Sequence, residues 1–455
     1  MSLAGTDSAP SPPAIRVAFR TIGCKLNQCE TAQMQEALAV EGYRLVDWDE
    51  PADVRVVNTC TVTSRSDKTC RNEIRHAKRL DPGCVVAVTG CYAQVDADAI
   101  AAIPGVDLVL GNLDKHDLAR HLRERLRAGD ASLTVAVSPY GEHPTFESES
   151  FTHFHGYTRA FLKIQNGCDS RCAYCIIPVA RGPARSMPKD EVLAQMDLLA
   201  ARGYQEIVLT GINLGSWGGD TGEGSLVDLL RALVSRDKPA RYRLSSIEPL
   251  ETDAALQQLI LEAGDRVAHH FHLPLQSGSD SVLRRMNRPY TARQYLEVVE
   301  ALARRFPDAA LGADLIAGFP GETDEEFQET LSFVEHTPLT YLHVFSYSDR
   351  PQTAASKLRP KVSPETIHER SLLLRALGER KKDAFRRRSI GTEQRVLILS
   401  QRAPGGALVG LSGNYLEILL HGGDELMNTF AWARVDTVLD DGYCEGALTR
   451  IEDDR

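Results

Sequence analysis

The sequence predicts an α/β protein in three parts: an N-terminal parallel α/β domain, a central partial (β/α) barrel and a small C-terminal β-barrel. Three observations predict it. Short apolar runs alternate with amphipathic helical stretches from Ile15 to about Arg127. The alternation resumes at Phe161 and supplies six more strands. Beyond Thr392 it gives way to short strands separated by Gly turns. Alternating strands and helices build parallel sheets, whereas closely spaced short strands build small barrels.

The first domain, 15–127, carries candidate strands at Arg16–Phe19, Val54–Val57, Val85–Val88 and Leu108–Leu110. Helical patterns lie at Thr31–Val40, Ser64–Leu80 and Lys115–Arg127. Residues 128–156 are polar and rich in Ser, Glu and Thr, as in a linker. The barrel, 157–388, has strands at Phe161–Ile164, Glu206–Thr210, Arg241–Ser246, His270–Leu273, Gly312–Ala317 and Tyr341–Phe345. Helices at Lys189–Arg202 and Asp324–His336 separate some of these, and a long helix over Pro364–Arg388 closes the series. In a barrel of this kind the working loops follow the C-terminal ends of the strands. The last part, 392–455, has strands at Arg395–Leu399, Ala407–Leu411, Leu416–Leu420 and Ala431–Val435.

Composition narrows the function. No apolar run approaches the ~20 residues that span a bilayer. The first thirteen residues, MSLAGTDSAPSPP, lack the basic and apolar segments of a secretory signal and read as a disordered leader. The expected location is therefore cytoplasmic. A net charge of −10 argues against a protein that coats nucleic acid nonspecifically, but it leaves room for a local basic groove. Ten cysteines without a secretion signal point to metal binding or catalysis rather than disulfides.

The strongest signal is Gly167-Cys168-Asp169-Ser170-Arg171-Cys172-Ala173-Tyr174-Cys175, placed just after the first barrel strand. Three thiolates on one short loop can hold three irons of a [4Fe-4S] cluster. The fourth iron is then open to chelate a ligand, as the open position of a catalytic zinc is. A structural zinc knuckle is the competing reading. It needs four ligands, and His153 and His155 both precede the strand. Three further cysteines, Cys24, Cys60 and Cys91, each follow a predicted strand of the first domain. Such positions fall on one edge of a parallel sheet, where ligands bind. A second cluster there competes with the reading of cysteine as a small core residue. Cys29, Cys70, Cys84 and Cys444 take the core or surface reading.

Together these motifs resemble the radical S-adenosylmethionine (SAM) methylthiotransferase family over nearly the whole chain from about residue 15. The resemblance implies a flavodoxin-like first domain, a radical SAM barrel and a TRAM-like β domain. It implies two [4Fe-4S] clusters: one on Cys168, Cys172 and Cys175, and an auxiliary one on Cys24, Cys60 and Cys91. It also implies SAM as cofactor, both as methyl donor and as radical source, together with an external electron donor. The sulfur donor is not named by the sequence. Gly23-Cys24-Lys25-Leu26-Asn27 and Asn58-Thr59-Cys60-Thr61-Val62-Thr63 are most similar to the branch acting on tRNA N6-threonylcarbamoyladenosine. The isopentenyladenosine branch usually has Gln-Met after the first cysteine, and the ribosomal-protein branch Pro-Lys. The implied product is 2-methylthio-N6-threonylcarbamoyladenosine at position 37, so the partner is the tRNA anticodon stem-loop. Cys29 departs from the pattern, standing where this branch often has Tyr.

SAM-contacting candidates follow from the same resemblance: Gly211 and Asn213 after the second barrel strand, Ser246 and Glu248 after the third, then Gln276 and Arg288. Tight turns, solvated carboxylates and an ordinary surface arginine are the competing readings. The segment Asp314–Glu322 resembles the strand and turn that pack on the adenine. His269, His270 and His272 are not taken as ligands, because strand neighbours alternate between faces. No residue is singled out as a catalytic acid or base. Arg380-Lys381-Lys382 and Arg386-Arg387-Arg388 form a basic helix end able to meet phosphates. From Thr392 the chain carries eleven acidic residues against five basic ones, so RNA contact is expected on the helix end and the barrel mouth. Other classes remain: an iron-sulfur RNA-binding or electron-transfer protein without radical chemistry, and a zinc-stabilised scaffold.

Overall fold

The computed structural model describes residues 14–128, 132–141, 144–154 and 156–452, so the expected leader and His155 lie outside the described residues. The chain forms two units: Met1–Gly23, Gln33–Cys60 and Arg65–Ser138 in the first, and Cys24–Ala32, Thr61–Ser64 and Pro139–Arg455 in the second.

The first unit is a six-stranded, all-parallel sheet. Its strands are β1 (Arg16–Thr21), β2 (Arg44–Val46), β3 (Val54–Thr59), β4 (Val85–Gly90), β5 (Leu108–Leu110) and β6 (Thr134–Ala136). Their order is β2-β1-β3-β4-β5-β6. Every residue of β3 and β4 is buried, because helices cover both faces of the sheet. The pleat divides these strands between two cores. Val54, Val56, Val85 and Ala87 join Leu38 and Leu122, while Val57, Val86 and Val88 join Ile74 and Ile100. Two edge strands were not foreseen. β2 has only three residues, and β6 lies inside the stretch expected to be a linker. Both are too short to show an alternating pattern. The first helix spans Lys25–Val40 and so starts six residues before the expected Thr31.

In the second unit six parallel strands run in chain order. They are β7 (Ala160–Lys163), then, after the short pair β8 (Gln165–Asn166) and β9 (Arg185–Ser186), β10 (Glu206–Thr210), β11 (Arg241–Leu244), β12 (His270–His272), β13 (Ala310–Ala317) and β14 (Tyr341–Ser346). β7-β10-β11 and β12-β13-β14 form two sheets. Isolated parallel bridges, Tyr242↔Val267 and Ser246↔His272, join them into one partial barrel. Capping boxes at Ser225, Thr291 and Thr323 start three of the outer helices, of which only Asp324–His336 was expected from the sequence.

A closed five-stranded barrel follows: β15 (Glu393–Ile398), β16 (Leu408–Ser412), β17 (Glu417–Leu420), β18 (Phe430–Val438) and β19 (Cys444–Ile451). Sequence patterning missed β19, most of whose residues are exposed or half-buried. The helix Pro364–Arg388 ties the two barrels together. Leu374 and Leu377 enter the core of the large one, and Phe385 enters that of the small one. Among the described residues no helix is long and apolar enough to cross a membrane.

Candidate functional site

The C-x3-C-x2-C loop leaves β8 and returns through the short helix Ile177–Arg181 to β9. Pairing of Gln165 with Ser186 and of Asn166 with Arg185 closes its stem. Within the loop, the Cys168 amide donates to Gly182 O at 3.1 Å, and the Cys175 amide to Cys172 O at 3.1 Å. Ala173 N bonds Met286 O at 2.9 Å, which fixes the loop to the segment before Arg288. All three cysteines are half-buried and none is in a disulfide. Burial pushes the Cys175 thiol up to about 12, and the nearby Cys172 and Cys168 thiols add to the rise. Three thiols on one short loop in this way fit three irons of a [4Fe-4S] cluster.

Gly167 is dictated by this geometry. Its φ is +68°, and a Cβ there would sit 1.8 Å from Pro183 O, a backbone atom with little room to move. Gly167→Ala is therefore expected to destabilise the protein by more than about 1 kcal/mol and to lower the iron retained on anaerobic reconstitution. Iron assay alongside thermal melting checks this, and wild-type values in both would refute it.

Arg288 is 9% exposed and joins several groups at the cluster loop. Its guanidinium pairs with Glu248, donates to Cys172 Sγ at 3.2 Å and donates through Nε to Tyr290 Oη at 3.0 Å. Tyr290 in turn donates to Pro274 O at 2.6 Å. Glu248 and Arg288 thus come together beside Cys172. Gln276 has φ +72° and lines a cavity of about 180 Å³ with Cys175, Tyr174 and Ile316. The Asn213 amide donates to Gln165 Oε1 at 2.9 Å, and its side chain donates to Glu251 at 3.0 Å. A Cβ on Gly211 would meet Gln165 Cβ at 2.9 Å, so that turn is packed against the loop stem. Ser246 lines a different, larger cavity of about 550 Å³. Three buried polar atoms at these strand ends have no hydrogen-bond partner among the described residues: Asn213 Oδ1, Ser245 Oγ and Glu251 Oε2. Burial raises the Glu251 carboxyl above its ordinary value. Such unmatched donors and acceptors suit a polar cofactor such as SAM, since a buried polar group costs free energy until it is paired.

The larger cavity holds a cluster that sequence reasoning set aside. His270 and His272 are two residues apart on β12 and share a face. Tyr341 Oη lies 2.7 Å from His270 Nε2 and 3.0 Å from His272 Nδ1. Asp314 Oδ1 lies 2.9 Å from His272 Nε2 and 3.4 Å from His343 Nδ1. Burial works against ionisation of Asp314, but the two histidines outweigh it and hold the carboxyl well below the usual range. The alternation argument separates His269 from His270, not His270 from His272. The spacing His270-x-His272 was the signal available in the sequence.

In the first unit, Thr59 and Gly90 are register partners, so Cys60 and Cys91 leave neighbouring strands at the same level. Cys70 packs against Cys60: its Sγ lies 3.4 Å from both Cys60 N and Cys60 O. Burial pushes the Cys70 thiol up to about 12, with the Cys60 thiol among the groups that add to the rise. Asn112 donates to Cys91 Sγ at 3.9 Å. Cys24 belongs to the second unit, is exposed, and lies 3.8 Å from Asn27 Oδ1. Cys29, Cys70, Cys84 and Cys444 are all buried. Cys29 donates to Phe161 O at 2.8 Å, which makes it part of the barrel's packing.

Comparison with known proteins draws these pieces together. The radical SAM superfamily matches residues 162–334, and the uncharacterized protein family UPF0004 matches residues 16–111. A threonylcarbamoyladenosine tRNA methylthiotransferase of Aquifex aeolicus is 39% identical over 90% of this chain and 98% of its own. One from Bacillus subtilis is 37% identical over 96% and 97%. A tRNA-2-methylthio-N(6)-dimethylallyladenosine synthase of Methylobacillus flagellatus is 32% identical over 93% and 97%. Among solved structures, a radical S-adenosylmethionine methyltransferase of Kitasatospora setae, TsrM, covers 75% of this chain and 77% of its own at a TM-score of 0.56. At 17% identity that is a likeness of fold alone.

Proposed function

The chain belongs to the radical SAM tRNA methylthiotransferases, and on that premise we propose that it converts N6-threonylcarbamoyladenosine at position 37 of tRNA to its 2-methylthio derivative. The observation that carries the substrate is the 39% identity to a threonylcarbamoyladenosine enzyme along 98% of that protein. The family brings a [4Fe-4S] cluster and SAM. Cys168, Cys172 and Cys175 hold that cluster, supported by their shared loop and mutual proximity. Cys24, Cys60 and Cys91 hold a second, auxiliary cluster. In support, all three lie within the segment 16–111 matched by the second family, and Cys60 and Cys91 follow paired residues.

When bound, these groups supply one-electron reductive cleavage of SAM for C–H activation, a transferable sulfur and a methyl group. The chain's own residues bind and orient. Arg288 fixes Glu248 beside Cys172, and its hydrogen bond to that sulfur tunes the electronics of the ligand. Asn213 and Gln276 present polar groups at the strand ends to the amino-acid and ribose parts of SAM, whereas Ser246, expected beside them, faces the larger cavity. The electron comes from an external donor, and the RNA partner is the anticodon stem-loop.

The test is an iron and sulfide count on anaerobically reconstituted protein. Wild type is expected to hold about eight irons and the Cys168→Ala/Cys172→Ala/Cys175→Ala variant about four. A wild-type value near four would remove the auxiliary cluster. Mass spectrometry of tRNA carrying either threonylcarbamoyl- or isopentenyladenosine then fixes the substrate. The 2-methylthio product is expected from the first only.

A further inference from the structure

The cavity of about 550 Å³ lined by β12–β14 along their length is large enough for a modified nucleoside. It shares Asp314 and Phe345 with the smaller cavity lined by Cys175, so whatever fills it lies next to the cluster loop. Phe345 is 42% exposed and lines both cavities, so its ring face is available for a base to stack on.

Its charges are the informative part. Lys25, from the helix Lys25–Val40, and Lys382 and Arg386, one turn apart on the helix Pro364–Arg388, all line it. None of the three has an ion pair or a side-chain hydrogen bond among the described residues, whereas their neighbours do. Lys381 donates to Glu335 O and Thr337 O, and Arg387 pairs with Asp383. Of the two carboxylates present, Asp314 is already held by His272 and His343, and Glu417 is exposed. Lys25 also begins a helix with no acidic residue in its first turn, so the positive end of the helix dipole adds to its charge. The charge of Lys25 reaches into the cavity. Burial alone would raise the Tyr415 phenol, yet Arg243, Lys25 and Arg159 bring it down to about 8.

We infer that Lys25, Lys382 and Arg386 form the specificity site for the carboxylate of the threonylcarbamoyl group, holding that anion while the adenine lies against Phe345. The inference rests on the substrate reading above and adds the residues that read it. The threonyl carboxylate is favoured over a backbone phosphate because it is the anion joined to the reacting base, and the cavity adjoins the cluster loop.

The experiment measures binding of reconstituted full-length protein to a fluorescent anticodon stem-loop. One form carries N6-threonylcarbamoyladenosine and the other its methyl ester, with identical phosphates. Wild type is expected to bind the acid about ten- to hundredfold more tightly than the ester. In Lys25→Gln and in Lys382→Gln/Arg386→Gln that ratio falls toward one, and Lys25→Arg restores it. A wild-type ratio near one, equal weakening of both RNAs in the variants, or a ratio the variants keep would each overturn the inference. If wild type forms the 2-methylthio product while showing no preference, the substrate reading stands and only this site fails. Absence of product from threonylcarbamoyl tRNA defeats the reading itself.

Discussion

Replacing Glu206 by alanine is expected to cost about 3–5 kcal/mol, the usual result of removing one partner from a buried ion pair. Glu206 is fully buried and is the shared ion-pair partner of three arginines: Arg241 directly, Arg243 at 2.8 Å and Arg159 at 3.2 Å. Arg241 and Arg243 extend onward to the small barrel. They donate to Leu411 O at 2.9 Å, Ser412 O at 2.9 Å and Gly413 O at 2.7 Å. One carboxylate therefore holds together β10, β11 and the docking of the C-terminal barrel. Without it, two buried guanidinium groups have no counter-charge. Urea unfolding followed by circular dichroism checks the size, with Asp117→Asn as control. Asp117 pairs with Arg120 at the surface, with both side chains about half exposed, and such a pair contributes at most about 1 kcal/mol. A Glu206→Ala midpoint no lower than the control's would sink the argument. The pH dependence has a definite sign. Burial by itself raises the Glu206 carboxyl, but Arg241, Arg243 and Arg159 outweigh it and hold the pKa well below the ordinary value of 4.5. The ion network's stabilisation is then fully present above that ordinary value and is lost as pH falls below it. The gap between wild type and Glu206→Gln is expected to close on acidification from pH 5.

Arg288→Met is expected to slow SAM cleavage about 10- to 100-fold, the usual effect of losing a group that orients a metal ligand. The substitution keeps an unbranched apolar stem but removes the guanidinium and with it the bonds to Glu248, Cys172 Sγ and Tyr290. A merely structural role would lower the melting temperature and leave the cluster's properties alone. The electronic role predicts a lower reduction potential, because hydrogen bonds to cluster sulfurs help set it. It also predicts a weakened change in the reduced cluster's EPR spectrum when SAM is added. Arg288→Lys keeps the charge but not the planar fork, so it should fall between the two. Wild-type potential and EPR response in Arg288→Met would reduce this residue to packing.

How far the sequence went depends on how local each feature is. The strands β3, β4, β10 and β13 were legible because each is a β-rich run bounded by turn signals. The helices Ser64–Leu80, Asp324–His336 and Pro364–Arg388 have the predicted ends, and the last two carry N-cap side chains in the sequence itself. The cluster loop was equally legible, since three cysteines within eight residues owe nothing to tertiary contacts. What escaped are two short edge strands and one largely exposed strand of the closed barrel. β2, β6 and β19 owe their extended form to a neighbouring strand rather than to their own patterning.

The sequence by itself determined the α/β order, the final barrel's place and the C-x3-C-x2-C loop after the first barrel strands, because each follows from spacing along one segment. Only the tertiary structure decided which charges act and where. It separated Lys382 and Arg386, which line the cavity, from their neighbours Lys381, bonded to Thr337 O, and Arg387, paired with Asp383. It brought Asp314 to His272 and His343 from three strands, and it buried Glu206 among arginines 35 to 47 residues away. Electrostatic partners are chosen by distance in space, which a linear pattern does not carry, and burial then sets how strongly they interact.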